Sequence, residues 1–266
     1  MAERLPLSVW PTAQHTSRAQ RTGRYLPESV VHPAKLLPAV ARHAITAYTA
    51  PGDLVLDPMC GIGTTLVEAV HLGRDAVGIE YEPRWADLAR RNLHHAASQG
   101  AAGRGRVFTG DSRGLPNLLG PELLGRVALV LTSPPYGSSV HGQVTARPGG
   151  VAKRDYRYSD DRANLAHVRP DELLDAFATI LTACAGYLRP GGIAAVTARP
   201  WRRDGVLVDL PAAVTAAAQQ AGLVSFERNI ALLAGLRDAE HERQALDVLA
   251  DILADYLNRR RGVQED

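Results

Sequence analysis

Cysteine is nearly absent from this chain of 266 residues, which holds only Cys60 and Cys184. Neither has metal-ligand spacing around it, so a disulfide scaffold and a cysteine zinc site are excluded and both thiols are expected to be reduced and structural. No metal is expected. Aromatic residues make up only 5%, yet the 45% apolar content suffices for a continuous core. No apolar run approaches the length of a membrane span, and Met1-Ala2-Glu3-Arg4 is not followed by the apolar stretch of a secretory signal; a cytoplasmic protein without membrane contact is the expectation. An excess of one charge is missing too. Thirty Lys and Arg against 28 Asp and Glu leave a formal net charge of +2 and a pI near 8.6. No strong global field drives the chain onto nucleic acid, so any polyanion affinity must come from a local patch. Nothing resembling a linker divides the chain, which points to one sizeable α/β domain.

What is present is concentrated in a few short stretches. Thr132-Ser133-Pro134-Pro135-Tyr136-Gly137 follows directly on the apolar run Val127–Leu131. Two consecutive prolines donate no backbone hydrogen bond, fix two φ angles and restrict the residue before each, so they end a strand abruptly and leave rigid carbonyls pointing outward. That geometry suits catalysis on an amine. An amino group conjugated to a nucleobase ring is flat and poorly nucleophilic, but acceptors placed on its two hydrogens draw it toward a tetrahedral shape and free its lone pair. Tyr136 offers a ring for the base to stack on.

Upstream, Asp53–Thr65 reads as a buried strand, a glycine-punctuated turn and a helix from Thr65 to His71. Gly61 and Gly63 let a ligand approach the backbone at a helix N-terminus, as the first crossover of a doubly wound sheet requires. A second strand, Ala76–Glu80, ends in a carboxylate 23 residues after Asp57, where doubly wound folds bind ribose hydroxyls. A third, from Arg106, ends in Asp111. Three acids at the C-terminal ends of three consecutive strands are unlikely to fall there by chance, because that edge is where open α/β sheets bind ligands.

With these residues in view the chain resembles the amino-methyltransferases that modify cytosine N4 or adenine N6 in DNA. Ser133-Pro134-Pro135-Tyr136 looks like their catalytic motif. Asp57-Pro58-Met59-Cys60-Gly61-Ile62-Gly63-Thr64-Thr65 resembles their S-adenosylmethionine (SAM) turn. His32-Pro33-Ala34-Lys35-Leu36 resembles the segment that packs on the methionine end of SAM, with Leu36 where the family often has a second proline. The motif order is the unpermuted one. The resemblance implies a single doubly wound, Rossmann-like, mainly parallel sheet with helices on both faces, and SAM as cofactor. It implies a cofactor wall of His32, Lys35, Asp57, Pro58, Met59, Cys60, Gly61, Gly63, Thr64, Thr65, Glu80, Asp111 and Ser133. Within it, Glu80 would meet the ribose, Asp111 the adenine, and Asp57 with the glycine turn the methionine portion. Ser133, Pro134, Pro135 and Tyr136 would form the catalytic corner.

The remaining segments carry weaker patterns. Residues 1–30 hold Pro, Gly, Ser, Thr and four arginines without periodicity and read as an irregular arm; the methyltransferase domain is expected over 31–266. A helix is expected from about Pro33 to Thr49 and another from Pro83 to about Ala97. Residues 137–169 show no apolar repeat and read as a substrate-binding insertion, in which Arg147, Lys153, Arg154 and Arg157 would meet phosphates and Tyr136, His141, Tyr156 and Tyr158 would contact bases. Helix Pro170–Leu188, strand Ile193–Ala198, helix Leu210–Ala221 and strand Leu223–Leu233 continue the alternation. A charged helix over 238–261 carries Leu246, Leu249, Leu253 and Leu257 on one face. No apolar alternation remains after Gly235 to form the antiparallel strand with which such folds usually finish.

The expected function is methyl transfer to a nucleobase amine, cytosine N4 in DNA before adenine N6, because Ser in the first motif position is commoner among cytosine enzymes. DNA is the favoured partner and RNA the other, since enzymes methylating guanine N2 in tRNA share the SAM turn and a similar Pro-Pro-Tyr-Gly segment. A silent scaffold subunit of the same fold is the third reading, and a monomer or homodimer is expected. Room for a separate target-recognition domain is lacking, so recognition of a duplex site has to come from residues 137–169, from a partner, or not at all.

Overall fold

The computed structural model describes residues 7–33, 35–134, 143–147, 150–154, 161, 164–165, 170–203 and 206–233. The chain begins with β1 (Leu7–Trp10), α1 (Ser17–Arg21), a 3-10 turn at Pro27–Val31 and α2 (Pro38–Tyr48). Next come β2 (Leu54–Asp57), α3 (Thr64–His71), β3 (Asp75–Glu80), α4 (Pro83–Ser98) and β4 (Gly105–Thr109). A short α5 (Leu115–Leu118) precedes β5 (Val127–Thr132). A hairpin of β6 (Gln143–Arg147) and β7 (Gly150–Arg154) leads to α6 (Pro170–Tyr187) and β8 (Leu188–Val196). The last described elements are β9 (Trp201–Arg203), β10 (Val206–Val208), α7 (Leu210–Gln220) and β11 (Arg228–Ala231).

The central sheet runs β4-β3-β2-β5-β8 and every pairing in it is parallel. From β2 the chain winds outward through β3 to β4, then crosses back to place β5 on the other side of β2. This reversal opens a crevice at the C-terminal ends of β2 and β5, the usual ligand position in doubly wound sheets. Asp57 ends β2 and Ser133 follows β5, so the fold brings the two motifs to opposite sides of that crevice.

Strand alternation divides the core between two layers. Val55, Leu129 and Leu131 join α2, α3 and α4 through Val40, Ile45, Leu66, Val67 and Leu93. Leu56, Val77, Ile79 and Val130 point the other way and join Ile180, Cys184 and Tyr187 of α6. Strands buried on both faces read as continuous apolar runs, which is why β2 and β5 stand out in the sequence. Both cysteines are buried. Among the described residues no helix is long and apolar enough to cross a membrane.

Several boundaries differ from the sequence reading. Residues 7–31 are not an irregular arm: β1 pairs in parallel with β11, and Trp10 stacks on His43 with ring centroids 4.3 Å apart. These are long-range contacts, invisible to local periodicity. The helix expected from Pro33 begins at Pro38, because Leu37, the residue before it, is held extended at φ −69°, ψ 128°. The strand expected at Leu223–Leu233 shortens to β11 and pairs with β1, not with the central sheet. The strand expected at Ile193–Ala198 starts at Leu188, directly after α6. β4 stops at Thr109, leaving Asp111 to cap a 3-10 turn. The stretch read without secondary structure contains the β6–β7 hairpin. The helix expected over 238–261 lies outside the described residues.

The N-terminal segment is bolted to α3 by a buried charge cluster. Glu68 is fully buried; Arg24 donates to its two oxygens at 2.9 and 2.8 Å, and the Tyr25 hydroxyl donates at 2.6 Å. Arg42 adds a third cationic contact at 3.5 Å. Removing Arg24 takes two donors from this buried carboxylate and leaves it only Tyr25 and the longer Arg42 contact. Arg24→Met is therefore expected to cost about 3 kcal/mol in urea unfolding, and an unchanged midpoint would show that the cluster contributes nothing.

Candidate active site

One cavity of about 1100 Å³ lies along the crevice. Clefts for a single small ligand run to roughly 300–1,000 Å³, so this one has room for a cofactor and a base together. His32, Lys35, Asp57, Pro58, Met59, Cys60, Gly61, Thr64, Thr65, Glu80, Asp111, Ser133 and Pro134 all line it. Of the cofactor residues expected from sequence, Gly63 alone does not reach the wall; it caps α3 one position before Thr64 at φ +81°. Gly61 also has positive φ, +55°, and a Cβ there would come within 3.1 Å of His32 Nε2. Only glycine satisfies both demands at Gly61.

The turn is held by Glu80. Gly61 N–H donates to its Oε2 at 2.8 Å and Glu82 N–H to its Oε1 at 2.9 Å. On the other side Asn92, fully buried on α4, donates to Ile62 O at 2.9 Å and accepts from Leu26 N–H at 3.0 Å. That second link fixes the 3-10 turn just before His32. The His32 ring is buried and stands edge-on to Trp85, centroids 4.6 Å apart. Lys35 donates to the Val30 carbonyl at 2.9 Å and to that of His32. Burial, with the Arg21 charge, lowers Lys35 to about 8.

Burial also raises Asp57 to about 6, although Met59 N–H donates to it at 3.1 Å and the hydroxyls of Thr65 and Thr132 lie close enough to favour its charged form. Neither hydroxyl closes a hydrogen bond to it, and among the described residues those of Thr64, Thr65 and Thr132 are buried without a partner. Burial raises Glu80 to about 7; its two N–H donors oppose the shift, and Asp57 and Glu82 add to it. Two reluctant carboxyls, orphan hydroxyls and an α3 N-terminus without a side-chain cap form a seat for a ligand that carries positive charge together with a carboxylate. SAM carries both, and the residues present fit it.

Asp111 lines the cavity with its carboxylate already engaged. Arg113 donates to it from its peptide N–H at 2.9 Å and from Nε at 3.0 and 2.9 Å. Partial burial works against its ionisation, but the Arg113 bonds outweigh it and hold Asp111 below its ordinary value. An adenine amine would have to share that carboxylate with Arg113.

At the second motif, Thr197 N–H donates to the Thr132 carbonyl at 2.9 Å. The next two carbonyls, of Ser133 and Pro134, accept nothing among the described residues; Ser133 is half-buried and Pro134 buried. Pro135, Tyr136, His141, Tyr156, Arg157 and Tyr158 lie outside the described residues, and Arg147, Lys153 and Arg154 fall in the hairpin. Sequence reading missed Tyr81, Ser112, Arg113, Asn164 and Arg199, which also line the cavity. Tyr81 adjoins Glu80 in sequence, a usable signal, whereas Asn164 and Arg199 arrive by folding alone.

This sheet, with its glycine turn and row of acids, is a doubly wound α/β sheet whose ligand crevice lies at the strand ends. Residues 2–91 match the family model described as DNA methylase. The chain is 37% identical over 92 residues to the type II methyltransferase M.ScaI of Streptomyces caespitosus, covering 35% of this chain and 29% of that protein. It is 31% identical over 123 residues to a tRNA (guanine(10)-N2)-dimethyltransferase of Methanocaldococcus jannaschii, covering 46% and 33%. The corresponding protein of Methanothermobacter thermautotrophicus is 32% identical over 109 residues, covering 41% and 30%. The chain thus spans about a third of the length of the curated relatives it matches.

Because Asp57 and Glu80 titrate higher in the folded chain than in the unfolded one, the folded state holds more protons between about pH 4 and 7. The stability they contribute is full below about pH 4 and is lost as pH rises through 6 and 7. Melting scans of the ligand-free protein are expected to show that decline. Asp57→Asn is expected to flatten part of it, and an identical slope in the variant would clear Asp57 of the effect.

Proposed function

We propose that this chain is a SAM-dependent methyltransferase acting on the exocyclic amine of a nucleobase, cytosine N4 in DNA first and adenine N6 next. The observation that carries this reading is the convergence of Ser133 and Pro134 with Asp57, Gly61 and Glu80 on one cavity large enough for two ligands. SAM would supply an electrophilic methyl group, with Glu80 toward its ribose, Asp111 toward its adenine, and Asp57, Thr64, Thr65 and the glycine turn around its methionine portion.

The chain's own residues do the rest. The target base leaves its stack and enters the cavity beside the second motif. Ser133 and the Pro134 carbonyl accept hydrogen bonds from its amino group and favour the tetrahedral form of the nitrogen. Consecutive prolines keep that corner rigid, so its dipoles need no reorganisation during the reaction. No strong base is required, since the amine proton becomes acidic only after the nitrogen is alkylated. Alignment and fixed dipoles provide most of the rate.

A tRNA guanine-N2 reading is favoured by the two archaeal relatives. Against it stands the first motif residue, Ser133, where those enzymes usually carry Asp. A silent scaffold has no physical reason to keep both Ser133–Tyr136 and the glycine turn.

Incubation with tritiated SAM and duplex DNA, single-stranded DNA or tRNA separates these readings, and mass spectrometry of the product nucleoside names the methylated atom. Label on cytosine N4 is expected; no transfer to any nucleic acid would sink the proposal. Ser133→Ala is expected to cut turnover roughly 10²-fold or more, as loss of one preorganised partner does, with SAM binding retained. Asp57→Ala is expected to abolish SAM binding in calorimetry, and wild-type affinity there would refute its placement.

A further inference from the structure

We infer, on the methyltransferase reading above, that Asn164 is a positioning residue for the cofactor: through Glu82 it holds the turn that carries Glu80, and it does so from the segment returning from the catalytic corner. β3 and β5 lie on opposite sides of β2, so their ends are about 10 Å apart at ordinary strand spacing. The chain leaves the sheet at the end of β5, through Ser133 and Pro134, and Asp161 and Asn164 stand beside the end of β3. There Asn164 N–H donates to the Asp161 carbonyl at 3.2 Å and closes a turn. The side chains at the two ends of that turn reach two consecutive residues. The Tyr81 hydroxyl donates to Asp161 Oδ2 at 2.6 Å, and Asn164 Nδ2 donates to Glu82 Oε1 at 2.9 Å. Leu165, next in the chain, packs against the layer that holds Leu56, Val77 and Ile79.

Of the two bonds, the one to Glu82 bears on the cofactor. Asp161 is exposed, whereas Asn164 is only 4% exposed, and a hydrogen bond to a charged acceptor is strongest where water is kept away. Glu82 stands at the N-cap of α4, yet its carboxylate bonds none of the helix N–H groups; it accepts from Asn164. Its own N–H donates to Glu80 Oε1 at 2.9 Å, while Gly61 N–H donates to Oε2 at 2.8 Å. Glu82 therefore meets the ribose acid with its backbone and the returning segment with its side chain. A shift of Glu82 displaces one of the two peptide donors that fix Glu80. Asn164, Tyr81, Glu80 and Ser133 all line the one cavity, so a ligand lying along the strand ends has this turn at its edge. The cofactor side and the catalytic corner are in this way parts of one hydrogen-bonded frame.

Binding of S-adenosylhomocysteine to the full chain, measured by calorimetry, tests the link. N164A is expected to bind about tenfold more weakly, as loss of one hydrogen bond to a charged group predicts. N164D is expected to bind more weakly still, because it sets a second carboxylate against Glu82. E82Q/N164D reverses the bond, the introduced amide donating to the introduced carboxylate, and is expected to recover most of the affinity that N164D loses. E82A/N164A is expected to bind no worse than the weaker of its single variants, since each removes the same interaction. In the tritium assay N164A is expected to raise KM for SAM by more than it lowers kcat. Wild-type affinity in N164A would overturn the inference, as would additive losses in E82A/N164A, no recovery in E82Q/N164D, or a loss confined to kcat. Recovery in E82Q/N164D alongside no methyl transfer by wild type to any nucleic acid would uphold the Asn164 link and sink the nucleobase reading instead. A wild-type chain that binds no S-adenosylhomocysteine would sink both.

Discussion

At the end of β3, Glu80 accepts from two peptide N–H groups that belong to different turns, Gly61 on one side and Glu82 on the other. A buried carboxylate is costly to desolvate, and these two donors are what make its position tolerable. The same bonds hold the glycine turn against the start of α4, and Glu80 lines the cavity. His32, packed where a Gly61 side chain would stand, and Asn92, bonded to Ile62, depend on that turn staying closed. One wall of the crevice is therefore organised around one acid.

The opposite wall works by refusal. β5 continues until Thr132, whose carbonyl is taken by Thr197, and there the prolines stop the ladder. Ser133 and Pro134 keep acceptors that the sheet would otherwise have consumed. Tyr81 and Glu82 link this wall to the first, because the residues that follow Glu80 also grip Asp161 and Asn164. Cofactor side and insertion side meet within three consecutive residues, Glu80 to Glu82.

Much of the candidate site was legible because its signals are local. The apolar runs at β2 and β5 announce strands buried on both faces. Gly61 and Gly63 announce backbone that other residues cannot adopt, and Asp57 and Glu80 fall at strand ends that the runs themselves delimit. Asp111 was legible as a residue but not as half of an ion pair, since Arg113 two positions later carries no pattern of its own. β1 was not legible, and β11 was legible as a strand but not in its pairing: each is four residues long, and they pair across more than two hundred positions. The β6–β7 hairpin escaped because its strands are only five residues each and neither holds an apolar run long enough to stand out.

By itself the sequence determined the order of the central strands and the helices between them, the glycine turn, the proline corner and the acids at or near the strand ends, because each is set by backbone preference within a few residues. Only the tertiary structure decided which strand lies beside which, and so that Asp57 and Ser133 face each other across one crevice. It also decided that Glu80 is spent partly on the turn and that Glu68 ties the N-terminal segment to α3. These are pairings between distant segments, and a pairing depends on which surfaces burial brings together, a quantity no local pattern encodes.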